Sequence, residues 1–312
     1  MRMLHLSGVM RYPFPPKINR AAARNKGVAM RKRGLLATAL VLIVLAAGPA
    51  CAGGRDIGAE VNGLTLSLGY EAGYLRYAEK SARTGSTLDT DTGWLHGGYA
   101  EARYDFPRAF ARLKLDAMGS SSARYDGSLL NGTPYSTNTS EFIAKSEADL
   151  GYKLFEEGHT TFSPYLGVGY RYWRRGENSG ADYTELYTWW YGAAGLNVAY
   201  RTGPWLLGAD AALLYPMFMK MTTTMGGNFD STTFHIKPLP GARLELPVQY
   251  ELGRDIGTTY AIFLTPYYER WDIGKSPNVR MTRGGVTTGN VFYEPKSGTD
   301  IFGLRLGFSV NL

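Results

Sequence analysis

Cysteine is almost absent from this 312-residue chain, which holds one, Cys51. A single thiol excludes an internal disulfide framework and any multi-cysteine metal site. Histidine is scarce as well: of four, only His96, His159 and His235 lie beyond residue 52. No metal-ligand spacing and no phosphate-binding glycine loop occur, so neither a metal nor another cofactor is expected. No apolar run of about 18 residues follows Gly53, which excludes a membrane-crossing helix there. Residues 1–52 contain no acid but nine Lys or Arg, so the formal charge of +7 resides in that stretch. The remainder carries 25 basic against 27 acidic residues. Near-neutrality removes the electrostatic case for a nucleic-acid partner.

The basic segment reads as a leader. Met30-Arg31-Lys32-Arg33, the apolar run Leu35 to Ala47 and the small residues Ala50-Cys51-Ala52 form the three parts of a secretory signal. The expected division is a leader at 1–52, with its signal peptide at 30–52 cleaved after Ala52, and one domain at 53–312. Residues 1–29 are either a long basic leader or sequence ahead of a second start at Met30. Gly48-Pro49-Ala50 before the cysteine lacks the Leu-rich pattern of lipoprotein signals, which disfavours lipidation.

What the rest of the chain has is alternation. Ten segments show a period of two: 64–78, 94–106, 110–124, 140–154, 160–174, 187–201, 205–218, 233–250, 258–272 and 299–312. In the first, Leu64, Leu66, Leu68, Tyr70, Ala72 and Tyr74 share one face, and Thr65, Ser67, Gly69, Glu71 and Gly73 the other. Apolar residues cannot all face inward, because the opposite faces carry the charges and no helical pattern supplies a covering layer. The fold class predicted is all-β: a closed antiparallel transmembrane barrel of about ten strands in meander order, lipid-facing outside and charged inside. Eight or twelve strands follow if one segment has been fused or split.

Short and long connections alternate. Pro107–Ala109, Glu156–His159, Thr202–Pro204 and Glu251–Gly257 are short, and Ile273 to Gly298 is the longest connection. In an outer membrane the short turns face the periplasm, so both termini are expected there. Aromatics at Trp94, Tyr104 to Phe106, Tyr170 to Trp173, Trp189 to Tyr191, Trp205 and Tyr267 to Trp271 read as interfacial girdles. By parity Tyr165, Trp173, Tyr191 and Tyr267 point inward.

The stretches Leu66 to Tyr74, Ser163 to Tyr172 and Glu294 to Phe308 resemble the small outer-membrane β-barrel proteins of Gram-negative bacteria. That resemblance covers the chain beyond the leader and specifies architecture. It implies an outer-membrane location, contact with outer-membrane lipid and lipopolysaccharide, insertion by the barrel assembly machinery through the C-terminal strand, and a monomer. One departure is Leu312 where the family usually ends in an aromatic residue.

The parity argument assigns a set of inward charges: Glu71, Glu101, Arg103, Lys114, Asp116, Lys145, Glu147, Asp149, Arg171, Asp210, Arg243, Glu245, Glu269 and Arg305. A ten-stranded lumen is filled by side chains, and charges there need partners. A salt-bridged plug is the first reading, and a narrow ion path through the same residues the second. The chain also resembles the omptin proteases in strand number. Those carry paired Asp residues and an Asp-His pair on the outer rim. Here the candidates are Asp89 and Asp91, expected in the first long loop, and Asp230 with His235, at a different spacing from the omptin pattern. Neither His96 nor His235 lies in the His-x-Ser motif of lipid A deacylases, and His159 falls in a short turn. No catalytic residue is assigned. The expectation is a non-enzymatic barrel, structural or porin-like. A surface adhesin acting through its loops and an omptin-like protease are the alternatives. In the last loop Lys275, Arg280, Arg283 and Lys296 form a basic group against Asp272 and Glu294.

Overall fold

A computed structural model describes residues 63–81, 84–128, 133–157, 159–177, 183–225 and 229–312. The leader and its cleavage site lie outside these residues. Fifteen strands and no α-helix occur among them. They are β1 (Gly63–Lys80), β2 (Thr87–Asp105), β3 (Ala109–Ser128), β4 (Pro134–Tyr152), β5 (Phe155–Glu157), β6 (Thr160–Glu177), β7 (Tyr183–Thr202), β8 (Trp205–Met225), β9 (Thr232–His235), β10 (Gly241–Glu245), β11 (Val248–Asp255), β12 (Thr258–Ile273), β13 (Val279–Arg283), β14 (Val286–Phe292) and β15 (Lys296–Asn311).

Sequential neighbours pair antiparallel around the ring, and β15 pairs both β12 and β1, which closes a ten-stranded barrel. The last pairing runs from Thr65 opposite Asn311 to Lys80 opposite Lys296, so neither terminal strand leaves an open edge. The eighth barrel strand, expected as one run over 233–250, is three pieces: β9 pairs β8 alone, whereas β10 and β11 each bridge β8 and β12. Its sequence explains the breaks, since Pro238, Pro240 and Pro247 lack the N–H that a ladder needs.

The strands reach farther than the alternation suggested. At the loop end β2 begins at Thr87 instead of 94, β6 runs to Glu177 and β7 starts at Tyr183. The ninth-strand turn is also tighter than expected: Ile256 and Gly257 alone link β11 to β12, both at positive φ (43° and 84°). The long connection before β15 is not a plain loop, for it contains the β13–β14 hairpin, turning through Gly284 and Gly285 at φ 57° and 77°.

Outward positions are apolar and exposed. Leu68, Leu150, Leu166, Leu213, Leu264, Leu306 and Phe308 form a belt that only lipid can cover. Tyr74, Trp94, Trp190, Tyr215, Tyr268 and Phe302 edge it toward the loop end, and Tyr104, Phe106, Tyr152, Tyr200, Trp205 and Tyr260 toward the turn end.

Candidate functional site

Inward side chains fill the barrel in layers. Near the turn end Glu101 accepts from Tyr99 Oη at 2.5 Å, and Arg103 pairs Asp105 at 2.8 Å while stacking over Phe110. Next comes a level of charge. Arg112 bridges Asp149 (2.9 Å) and Asp210 (2.8 Å), and Tyr165 Oη donates to Asp210. Arg243 grips Glu147 with both Nη atoms at 2.7 and 2.6 Å. Glu245 receives Lys114 at 3.0 Å and Arg305 at 2.8 Å, and Arg305 also reaches Glu71 at 3.1 Å. Lys145 joins Glu269 (2.6 Å) to Asp116 (3.5 Å), and Arg171 closes on the other Glu269 oxygen. Six bases meet seven acids at this level, all of them buried.

Thus twelve of the fourteen inward charges expected from sequence lie in this level, with Glu101 and Arg103 half-buried below it. Arg112 was missed, although it shares the parity of Lys114 and Asp116. Tyrosine rings pack between the charges, and each needs room: Tyr191 lies over Gly169 of β6, where a Cβ would sit 2.3 Å from the ring.

Toward the loop end the filling becomes aromatic. Trp173, Trp189, Trp271, Tyr187 and Tyr77 are all at most 1% exposed. Trp271 packs edge-on against both Trp189 and Tyr191, and Trp173 stacks on Tyr187 at 4.7 Å. Trp189 and Trp271, expected in the girdles, therefore belong to the lumen: each sits on an inward register position of its strand, and its one-residue neighbour (Trp190, Arg270) takes the outward one.

Beyond this layer six buried carboxylates, Glu79, Asp89, Asp91, Glu141, Glu185 and Glu294, gather with one buried cation, Arg175. Arg175 reaches Asp91 at 2.7 Å and Glu185 at 3.5 Å. Neutral donors supply much of the rest: Thr139 to Asp91 (2.8 Å), Trp173 to Glu141 (2.6 Å), Tyr187 to Glu294 (2.8 Å) and Tyr183 to Glu185. Glu294 lies before β15, outside the barrel strands. Burial, then the neighbouring Glu79 and Glu185, push its carboxyl well above the usual range. Most of this group escaped sequence reading because the expected strands stop short at the loop end: 64–78, 94–106 and 187–201 omit Glu79, Asp89, Asp91 and Glu185. Glu141 was legible, having the parity of Lys145 and Glu147.

The hairpin lies over this end. Met281 and Phe292 join the same apolar cluster as Trp173 and Tyr187, and Phe229 meets Phe292 edge-on. Asp230 fastens the turn: its two oxygens accept the N–H groups of Gly284 and Gly285, each at 2.9 Å. Those bonds, Gly285 first, hold its carboxyl below the usual range.

The paired residues considered for proteolysis are accordingly dispersed. Asp89 and Asp91 are not loop residues but inward, buried positions of β2; Asp230 caps a turn; His235 is exposed on the outer wall of β9, opposite Lys220. His96 is also outward, bonded to Tyr70, and His159 is exposed beside β6. Among the described residues no three His, Cys, Asp or Glu side chains are arranged to hold a metal ion.

No protein-family model and no curated protein matches the chain. Solved structures do. The outer membrane protease OmpT from Escherichia coli aligns with a TM-score of 0.54 at 8% identity, covering 80% of this chain and 96% of that one. OprG from Pseudomonas aeruginosa aligns at 0.39 and 12% identity, over 82% and 99%. Ail, the attachment invasion locus protein of Yersinia pestis, aligns at 0.27 and 10%, over 80% and 99%. The fold is that of the small outer-membrane β-barrels of Gram-negative bacteria, and at such identities the likeness extends to the fold alone.

Proposed function

We propose that this protein is a non-enzymatic, structural barrel of the Gram-negative outer membrane, monomeric, with its lumen closed to ions. One observation carries this reading: cross-lumen ion pairs such as Arg243–Glu147 and Lys145–Glu269 are overlaid by the Trp173, Trp189 and Trp271 layer. Six bases and seven acids interleaved at one level nearly cancel, and leave little net field to draw an ion through. These aromatic side chains, at most 1% exposed, pack across the lumen at their level. The dispersal of Asp89, Asp91, Asp230 and His235 supports the non-enzymatic half of the proposal.

In this reading the turn end faces the periplasm, together with Gly63 and Leu312. β15 is the segment offered to the barrel assembly machinery, and lipopolysaccharide surrounds the loop end. Planar-bilayer recording on refolded protein tests it. Silence is expected, and ohmic steps that change when Lys145 or Glu147 is neutralised replace the structural role by a channel.

A further inference from the structure

Six methionines lie beyond residue 52, and four of them, Met217, Met219, Met221 and Met225, fall within nine residues of β8. Alternation carried on from the inward Ala212 and Leu214 would place Phe218 and Lys220 in the lumen and these methionines on the outer wall. The reverse is found. Phe218 has φ of 54°, a strained value for a bulky side chain, and is 83% exposed, at the point where the β7–β8 register slips between Thr188 and Trp190. That bulge shifts the strand by one position, so Met219, Met221 and Met225 turn inward and are buried while Lys220 points out.

The inward methionines face the carboxylate group. Met221 stands opposite Tyr187, whose hydroxyl donates to Glu294 at 2.8 Å and lies 3.2 Å from Glu185. Thr223 stands opposite Glu185 itself, and Met225 opposite Tyr183. A fourth thioether comes from the hairpin. Met281 is fully buried in the same apolar cluster, and its neighbour Thr282 accepts from the Asp230 N–H at 2.8 Å, while Ser231 donates to the Thr223 carbonyl at 3.1 Å. Between Met221 and Met225 the Thr223 hydroxyl is 0% exposed and has no hydrogen-bond partner.

Leucine or isoleucine would fill the same space, as Leu75, Leu95, Ile143 and Ile301 do on other strands. At β8 the chain instead takes on a strained residue to bring thioethers inside. The same step keeps Lys220 out of a chamber where six buried carboxylates have Arg175 as the one buried cation among the described residues. Neutral sulfur donors beside surplus negative charge suit a soft monovalent cation, because thioethers select ions of the Cu(I) type and the carboxylates offset the charge. Thioether sulfur is a different donor from the His, Cys, Asp and Glu groups that form no metal site among the described residues.

We propose that Met219, Met221, Met225 and Met281 form a binding site for one soft monovalent metal ion of the Cu(I) class, with its charge balanced by the chamber carboxylates, Glu185 foremost. The site lies at the loop end of the lumen and needs no ion path through it, so it adds a ligand to the structural role. The test uses the full chain folded in detergent micelles, with heat-modifiable gel mobility as the folding readout. It is titrated with Ag(I), a redox-inert probe of that class, in chloride-free buffer, and separately with Zn(II).

The expected result is one Ag(I) bound per chain with a rise in the thermal unfolding midpoint, and no such rise with Zn(II). Met221→Leu/Met225→Leu/Met281→Leu keeps the apolar volume, so it should fold and bind Ag(I) about tenfold or more weakly. Met118→Leu, elsewhere in the lumen, should bind as the wild type does. If the triple variant loses heat-modifiable mobility, Met281→Leu alone, on the hairpin outside the barrel wall, supplies the comparison and should also weaken Ag(I). Full affinity in the folded methionine variants, folded wild type that binds no Ag(I), or Zn(II) binding as tightly as Ag(I) overturns the site.

Discussion

Arg243 of β10 and Glu147 of β4 meet through two guanidinium bonds of 2.7 and 2.6 Å although β8, β7 and β6 separate their strands around the wall. The pair therefore crosses the lumen. It is the kind of contact that no strand-to-strand register supplies, and it joins opposite sides of the barrel directly. Its removal from one side leaves Arg243 with Glu245 at 3.4 Å and Lys114 with Glu245 alone. Glu147→Ala is expected to cost about 3–5 kcal/mol in urea unfolding of the bilayer-folded protein. The double change Arg243→Met/Glu147→Met should cost less than that single one, because it leaves no uncompensated charge. A double variant as destabilised as Glu147→Ala would show the pair to be more than mutual compensation.

The aromatic layer is expected to be the ion barrier. Trp189 and Trp271 pack edge-on with centroids 5.3 Å apart, and Arg171 lies within cation–π distance of both. Trp189→Ala/Trp271→Ala removes two large side chains from the middle of the lumen. Current steps should appear in planar bilayers where the wild type is silent. Continued silence in correctly folded variant would assign closure to the charged level beneath.

Glu294 links pH to the hairpin cover. Its carboxyl binds a proton more tightly folded than unfolded, so its stabilising contribution is complete below the ordinary carboxylate range, near 4.5, and is lost as pH rises through the raised folded value. Amide hydrogen exchange over 276–295 should therefore quicken from acid toward alkaline pH. Glu294→Gln, which keeps the donors Tyr77 and Tyr187 partnered with a neutral side chain, should flatten that dependence.

Asp230 acts in the opposite sense. Its carboxyl is depressed, so the turn it caps is supported above the ordinary value of 3.8 and loses that support as pH falls through the folded value. Asp230→Ala should raise proteolytic cleavage near Gly284-Gly285 at neutral pH to the level the wild type reaches only in acid. Equal cleavage of the two proteins at neutral pH would leave the turn held by the φ preference of its glycines alone.

Much of the barrel was legible in the chain, and the reasons differ by residue. Alternation in Leu64 to Tyr74 or in Phe302 to Leu312 fixes which side chains meet lipid, because successive residues on a strand face opposite ways and only one face can be apolar in a membrane wall. The same parity assigned Arg171, Glu269 and Arg305 to the interior before any pairing was known. It failed at the strand ends. Between 79 and 91 the sequence pattern becomes polar on both faces, so Glu79, Asp89 and Asp91 gave no outward apolar signal to mark them as strand, although Glu79 pairs with Asp89 and Tyr77 with Asp91.

By itself, then, the sequence determined the wall: its all-β class, its faces and most of the charges inside it. These are consequences of local period and of solvent on either side of one strand. The tertiary structure alone decided who partners whom across the lumen. Arg112 to Asp210, Arg243 to Glu147 and Asp230 to the Gly284-Gly285 turn span 98, 96 and about 54 positions. Such distances are bridged by barrel closure and by the hairpin folding back, not by any repeat in the chain. The broken eighth strand and the outward turn of Phe218 belong with them, because a proline and a register slip acquire their meaning only from the strands on either side.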